Sequence, residues 1–451
     1  MNGSLYKTKE AILSRAQEAI GKPMREIDTT NRLNSGKGAI GSVLEESWFG
    51  YRINNDSDPD FPEAGVELKV TPYKRTKKGI RAKERLVCNI INYMEEYKLT
   101  FETSSFWKKC NTLLLMSYEH KEEIPKSDFT IDEAVLFSFP TEDLIIIKKD
   151  WETIVQKIRS GKAHELSEGD TLYLGACTKG ATAASVREQP FSSIPAKQRA
   201  FSLKQSYMSY VLNAYIFGSQ EDEHVIKDAA VLSGQSFEQY ILNMVNPHIG
   251  KTQTQLLKEF GLNSSAKNLN ELILSRMLGI RGKISNTEEF QKANIIPKTI
   301  RVNLDNTITE SMSFPAFDFK TRVGQEWEDS DFKNMLEQTK FLFVVFKYTP
   351  DKELVFEKVV FWNMPERDLL EVEKVWNRTV KTLKEGVAFR ITGRRTFNNL
   401  PKASESPVAH VRPHARDSKD TLELPDGRSM QKQCFWLNNN YVQKQLEIAE
   451  Q

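Results

Sequence analysis

The segment DFPEAGVELK, residues 60–69, sets an acidic side chain, six intervening residues and then Glu-x-Lys within one short stretch. Asp60, Glu67 and Lys69 are the residue types that hydrolysis of a phosphodiester needs. That reaction calls for a divalent cation to neutralise charge building on the phosphate, and for a water made nucleophilic near neutral pH. Carboxylate oxygens are hard ligands suited to Mg2+, an ion that keeps several waters of its own. Asp60 and Glu67 are therefore the expected metal ligands, and Mg2+ the expected cofactor. Lys69 is expected to orient the attacking water and balance charge on the phosphate. Alone, this pattern is weak, because solvent-facing Glu-x-Lys pairs are common on edge strands. Two neighbours strengthen it. Glu46, in LEESWFG (44–50), is a third carboxylate within reach, and Lys109, after ETSSF, can touch a phosphate.

For these groups to converge, residues 65–71 must form a strand, from which Glu67 and Lys69 project on one face. Asp60, after the turn-forming NNDSDPD, must fold back to the same ion. Apolar periodicity predicts helices over 8–21 and 39–50, the second carrying Glu46. It predicts further strands over 85–93, 111–117 and 134–138, then helices over 149–160 and about 203–216. The result is a mixed α/β domain whose central sheet carries the site. GKGAIGS (36–42) lacks the residue order of a phosphate-binding loop and reads as a turn and helix start, with Lys37 near a nucleic acid.

The chain repeats itself. ILSR stands at 12–15 and 273–276, and GVELKV (65–70) has a weak partner in AFDFKT (316–321). FETSSF (101–106) matches WEDSDF (327–332), each before an apolar run. WETIVQKIRSG from Trp151 matches WNRTVKTLKEG from Trp376, and QRAFSLKQSYMSYVL (198–212) matches KQCFWLNNNYVQKQL (432–446). Five matches in one order argue for two domains of one fold. The expected division is 1–220 and 221–451, through the acidic, Gly-bearing stretch 216–235. In this pairing Asp318 stands for Glu67, Lys320 for Lys69 and Ser311 for Asp60, so the second half lacks its first carboxylate and is expected to bind without cutting. Phe201, Tyr207, Phe435 and Tyr441 recur in both halves and are expected in the cores.

The 451 residues suffice for two or three domains, and 39% apolar content can bury substantial cores. A net charge of +2 does not declare a nucleic-acid binder. Local clusters do more: Lys74, Arg75, Lys77, Lys78, Arg81, Lys83 and Arg85 are either solvated surface or a phosphate-facing patch. Cys88, Cys110, Cys177 and Cys434 are widely spaced, with no zinc spacing among them and the histidines, which points to a reduced, intracellular protein. The polar N-terminus has no secretory apolar core. The longest apolar run, Phe341 to Phe346, is too short to span a bilayer and reads as a buried strand. Residues 394–430 are polar and Pro/Gly-bearing and read as a loop.

At these residues the chain resembles the MutH-like endonucleases, which include a mismatch-repair nicking enzyme and two-domain type II restriction enzymes. The motifs are LEESWFG with Glu46, D-x6-ELK, ETSS with Lys109, DWE (150–152), YLGACTKGA (173–181) and RAFSLKQSY (199–207). HVRPH (410–414) and CFWLNNNY (434–441) resemble the inactive appended domain of the restriction enzymes. The resemblance implies a restriction-endonuclease-like core, a central mixed sheet flanked by helices, duplicated as two MutH-like domains. It implies cleavage of double-stranded DNA at 5′-GATC-3′, on the 5′ side of G in both strands. It implies a second GATC bound by the C-terminal domain as an allosteric effector.

It also places Cys177, Thr178, Lys179 and Gly180 in the major groove, with Cys177 where the repair enzyme has an arginine and Ser202 where it has a tyrosine. Lysine can donate to guanine O6 and N7, so Lys179 is expected to read guanine. Arg199 reads either as a DNA contact or as a helix-entry surface charge, Lys204 as a DNA contact, and Arg412 and His414 as DNA contacts of the second domain. His410 and His414 are expected at the surface or facing DNA. The implied partners are GATC-bearing duplex, one site per domain, and a cognate DNA methyltransferase. The implied form is a bacterial, cytoplasmic monomer that dimerises on DNA and touches no membrane. Two other readings, a MutH-type mismatch-repair nickase and a non-catalytic sequence-specific DNA-binding protein, are set against it by the second domain and by the intact Asp60, Glu67 and Lys69 set.

Overall fold

The computed structural model describes residues 6–34, 36, 38–53, 58–77, 79–180, 185–218, 222–232, 234–263, 266, 268–393 and 395–448. Lys37 and Lys78, singled out above, lie outside them. The chain forms two compact units, Met1–Phe237 with Asn286–Asn294, and Glu238–Ser285 with Ile295–Gln451. The boundary is later than residue 220, and it is interleaved. The short helix Glu288–Lys292 belongs to the first unit because fully buried Lys292 is paired there with Asp143 and Glu288.

In the first unit, helix α1 (Lys9–Gln17) and helix α2 (Ala39–Val43) precede strand β1 (Glu67–Thr76). There follow β2 (Gly79–Ala82), β3 (Leu86–Ile90), α3 (Ser105–Cys110), β4 (Leu113–Glu119), β5 (Glu133–Phe137) and α4 (Thr141–Arg159). Then come β6 (Leu174–Thr178), β7 (Val186–Gln189), β8 (Ser192–Lys197), β9 (Arg199–Leu203) and α5 (Gln205–Tyr210). The central sheet runs β2-β1-β4-β5, with β1 parallel to β4 and the outer pairs antiparallel. The LLLM run of β4 is buried throughout, as a central strand covered on both faces should be. Strand β3 does not join this sheet, contrary to the single-sheet expectation. It pairs with β9 in a second sheet, β3-β9-β6.

Ser104 starts α3 by accepting the Trp107 amide at 3.0 Å. Helix α4 starts at Thr141 rather than at 149. Pro140 stands just before it, and Glu142 and Asp143 favour the positive helix start. Its apolar stripe, including Ile147, Trp151, Ile154 and Ile158, faces the core. Helix α5 widens into a π-turn, Val211–Ile216.

The second unit repeats this plan. Strands β10 (Ile295–Val302), β12 (Lys340–Tyr348) and β13 (Leu354–Trp362) pair parallel then antiparallel, as β1, β4 and β5 do. Strands β11 (Met312–Ala316), β19 (Gln433–Leu437) and β16 (Ala409–Pro413) mirror β3-β9-β6. Ser330 caps helix Asp331–Gln338 as Ser104 caps α3, accepting the Lys333 amide at 3.2 Å. The Tyr207 hydroxyl donates to Asp143 at 2.9 Å, and that of Tyr441 donates to Asp368 at 2.7 Å. Phe201, Tyr207, Phe435 and Tyr441 are all buried, as expected from their recurrence. The apolar run 341–346 is the buried part of β12. Residues 394–430 are not a loop. They hold β15 (Arg395–Asn398), β16, β17 (Thr421–Glu423) and part of β18 (Ser429–Gln431).

Candidate active site

The turn between Asp60 and Glu67 does what the sequence demanded. Phe61 and Val66 exchange backbone hydrogen bonds of 2.9 and 3.2 Å, and Gly65 takes the left-handed conformation (φ 64°) that closes the turn. Asp60 is thereby folded back onto the start of β1. Its Oδ2 accepts the Leu68 amide at 2.9 Å, and its own amide donates to Glu67 Oε2 at 3.1 Å. Lys69 Nζ donates to Glu67 Oε1 at 2.8 Å and to the Cys88 carbonyl at 3.4 Å. Lys109, in the last turn of α3, brings its Nζ to 3.6 Å from the same Glu67 oxygen.

Glu67 is only 2% exposed. Burial raises its pKa, partly offset by Lys69. Burial alone would push Lys69 toward neutrality, but attraction to Glu67 outweighs it and holds the ammonium above the ordinary lysine range. Lys69 is therefore a fixed positive charge and not a base.

The third carboxylate is Glu45, not Glu46. Helix α2 continues as a wider π-turn, Leu44–Trp48, closed by a 2.9 Å bond from the Phe49 amide to the Leu44 carbonyl. Such turns re-aim side chains and are frequent at functional sites. Ile40, Val43 and Leu44 go to the core. Glu46 faces outward, with Arg32 Nε at 2.7 Å, and that bond lowers its pKa. Glu45 faces the site. Burial first, and then repulsion from Asp60 and Glu67, raise its pKa to about 7.

The expected DNA-contacting residues divide. Thr178, Lys179 and Gly180 are exposed at the end of β6, with the Lys179 amide bonded to the Gln198 carbonyl at 2.7 Å. Cys177 is 2% exposed and turned inward, so it does not present a side chain to a groove. Arg199 is buried and donates to the Ala176 carbonyl at 2.7 Å, bracing β6 from behind. Lys204 is buried as well, donating to the Thr171 carbonyl below the same strand. In the second unit Arg412 is exposed, its guanidinium 4.1 Å from the centre of the Trp436 ring. His414 is also exposed, with its Nδ1 at 3.1 Å from Cys434 Sγ. His410, expected at the surface, is buried against Asn438 Oδ1 at 2.6 Å.

Asp318 and Lys320 are not the counterparts of Glu67 and Lys69. Asp318 caps the short helix Phe319–Val323, accepting the Thr321 amide at 2.8 Å, and Lys320 pairs with Glu423 at 2.9 Å. The true counterpart of β1 is β10. Leu113 faces Phe137 and Phe341 faces Trp362, and Phe137 and Trp362 each stand three residues before the proline that precedes the long helix, so Leu115 and Phe343 are equivalent. Lys69 lies across from Leu115 and Lys298 across from Phe343, and Lys298 donates to the Ser313 carbonyl of β11 at 3.1 Å as Lys69 donates to the Cys88 carbonyl of β3. Two residues before Lys298 the chain carries Ile296, in the place of Glu67, so the second unit keeps the lysine and lacks the carboxylate at this strand.

Two mixed α/β units, one with carboxylates and lysines gathered at the start of a central strand, define a restriction-endonuclease-like nuclease core. The family model described as "DNA mismatch repair enzyme MutH" matches residues 49–150, which include Asp60, Glu67, Lys69 and Lys109. The type II restriction enzyme Sau3AI of Staphylococcus aureus is 41% identical over 98% of this chain and 99% of its own length. The mismatch repair protein MutH of Shewanella woodyi is 29% identical, over 46% of this chain and 92% of its own length. That of Escherichia coli is 27% identical over the same shares. The chain belongs to the MutH-related type II restriction enzymes.

Proposed function

We propose that the first unit cuts both strands of duplex DNA at 5′-GATC-3′, 5′ of G, in a Mg2+-dependent reaction. On this reading the second unit holds another GATC copy as an allosteric effector. The carrying observation is the convergence of Asp60, Glu67, Glu45, Lys69 and Lys109 at one strand start. Among the described residues no group of three or more His, Cys, Asp or Glu already closes into a metal cage. Mg2+ does not require one, since it keeps waters and takes one or two carboxylates. Asp60 spends Oδ2 on the Leu68 amide, and its other oxygen suits a hard cation. Asp60 and Glu67 would hold the ion, with Glu45 beside them. When bound, Mg2+ supplies neutralisation of phosphate charge and a lowered water pKa.

The side chains do the rest. Glu45, poised near neutrality, accepts the proton of the attacking water at its carboxylate. Lys69, held protonated, orients that water and faces the charge that develops on phosphate. Lys109 adds a second positive charge. With Cys177, Arg199 and Lys204 buried, base reading rests on Lys179 and on the backbone of Thr178 and Gly180. Lysine offers its donors to guanine O6 and N7.

The proposed restriction activity carries with it the remaining expectations: a monomer that dimerises on DNA, and a bacterial cytoplasmic setting with a cognate methyltransferase. No described helix is long and apolar enough to cross a membrane. The test is digestion of a sequenced plasmid with Mg2+, with and without adenine or cytosine methylation, and mapping of the ends. The expected product is linear fragments ending 5′ of GATC. Nicked circles alone would favour the mismatch-repair reading, and the absence of any cut would favour a DNA-binding protein. Asp60→Ala is expected to abolish cutting while leaving DNA binding in place. An Asp60→Ala protein that cuts as fast as its parent overturns the site.

A further inference from the structure

The two units differ in the connection between their long helix and the strand that follows. In the first unit residues 160–173 join α4 to β6 through short 3-10 turns. In the second, residues 386–408 join helix Glu366–Glu385 to β16, a connection nine residues longer. The addition is a β-hairpin, β14 (Phe389–Thr392) paired antiparallel with β15, turning at Gly393 (φ 62°). Its apolar side chains are not sunk in the core. Ile391 is 75% exposed, Phe397 42% and Phe389 36%. From Gly386 to Ser404 the chain carries Arg390, Arg394, Arg395 and Lys402, with no Asp or Glu. Arg390 is exposed, its guanidinium 5.6 Å from the centre of the Phe397 ring.

The base of the hairpin is fixed. The Ala388 amide donates to Asn399 Oδ1 at 3.0 Å, and Arg428 donates to the Val387 carbonyl at 2.7 Å. Just beyond the hairpin, the Pro401 carbonyl accepts the amide of Val411, the neighbour of Arg412, at 2.9 Å. A basic ribbon, tied down at its base, therefore rises beside the strand that carries Arg412.

We propose that this hairpin is a DNA-binding arm of the second unit, laid in the groove of the duplex that the unit holds. This rests on the reading that the second unit binds duplex DNA. A two-stranded ribbon fits the major groove, where an apolar side chain such as Ile391 can meet a thymine methyl. Arginines of the ribbon meet the phosphates on either side, and neutralising those phosphates releases counterions.

The test is fluorescence anisotropy of the full chain with a GATC-bearing duplex in EDTA, read as log Kd against log salt. Arg390→Ala is expected to reduce the slope by about 0.9, and the triple variant R390A/R394A/R395A by about 0.9 for each phosphate left without its arginine. Ile391→Ser is expected to weaken binding about tenfold with the slope unchanged. Arg412→Ala is the separate arm for the underlying reading. If Arg412→Ala weakens binding and no hairpin variant changes slope or Kd, the arm is refuted and the second unit still binds DNA. If neither set changes anything, both readings fall. If the hairpin variants change oligomeric mass in sedimentation but not DNA binding, the hairpin is a protein-contact surface and the proposal is overturned. Arg390 and Ile391 are exposed single sites, so those variants report even if the triple variant does not fold.

Discussion

Glu45→Gln compared with Glu46→Gln decides which carboxylate belongs to the site. Moving a carboxyl from 4.5 to about 7 corresponds to about 3 kcal/mol against its ionised form. Glu45 is only half-buried, and screening on its open side reduces this to about 1–2 kcal/mol. The penalty is absent below pH 4.5, where the carboxyl is neutral in the folded and the unfolded chain alike. It grows as pH rises toward about 7 and is constant beyond. Without metal, Glu45→Gln is therefore expected to raise the melting temperature of the first unit at pH 8 by about 2–8 °C. The gain should vanish as pH approaches 4.5. Cleavage by this variant is expected to fall by about 10²–10⁴-fold. Mg2+ should stabilise the parent by mass action and stabilise the variant less. Glu46→Gln removes an exposed bond to Arg32 and is expected to leave cutting and Mg2+ stabilisation unchanged. Differential scanning fluorimetry across pH, with and without Mg2+, and a plasmid cleavage time course give every readout. The reasoning is refuted if Glu45→Gln cuts like the parent, or if Glu46→Gln is the variant that stops cutting.

Buried Asp150 accepts the amides of Leu172, Tyr173 and Leu174 at 2.8, 2.6 and 2.9 Å, so Asp150→Ala orphans three donors that position β6. At about 1–3 kcal/mol for each unsatisfied group, less local relaxation, urea denaturation should show a loss of about 3–6 kcal/mol. Lys179→Ala should weaken binding by about 1–3 kcal/mol and relax discrimination at guanine, while Cys177→Ala should leave both unchanged, read by anisotropy with GATC and base-substituted duplexes. All four cysteines are buried, so a thiol reagent should find no fast-reacting group in the native protein and four after denaturation. A fast thiol that disappears in Cys177→Ala would show that the side chain does face the groove.

The strand of the candidate site is legible because its pattern is local. Asp60, the closing turn and Glu-x-Lys lie within ten residues, and the turn leaves the folded chain few ways to place them. Glu45 was missed because choosing between adjacent glutamates requires the helical phase to within one residue. A π-turn changes that phase where hydrophobic periodicity cannot register it. Arg199 and Lys204 misled for a different reason. A buried cation is rare enough that sequence sends it to the surface, yet here backbone carbonyls of Ala176 and Thr171 receive the donors inside. The helix at Thr141 was placed late because its first turn is polar, and only the cap residues announce it.

The duplication shows where letters and register part. AFDFKT resembles GVELKV in composition, but the sheet pairs β10, not that segment, with β12. At the second sheet the two views agree and say more together. Cys177 pairs across from Ala200 and Arg412 across from Cys434, while Ser202 and Trp436 hold matching places on the adjoining strand. The second unit thus carries an arginine on an indole ring where the first carries a buried thiol beside a serine. Arginine stacked on tryptophan keeps its outer donors available, because the ring occupies a face of the guanidinium and not its rim. The first unit carries the carboxylates without that arginine, and the second carries the arginine without the carboxylate on its central strand. A division of this kind is what the proposed pair requires, one copy cutting duplex and the other sensing it, since a sensor that does not cut loses nothing by lacking a metal site.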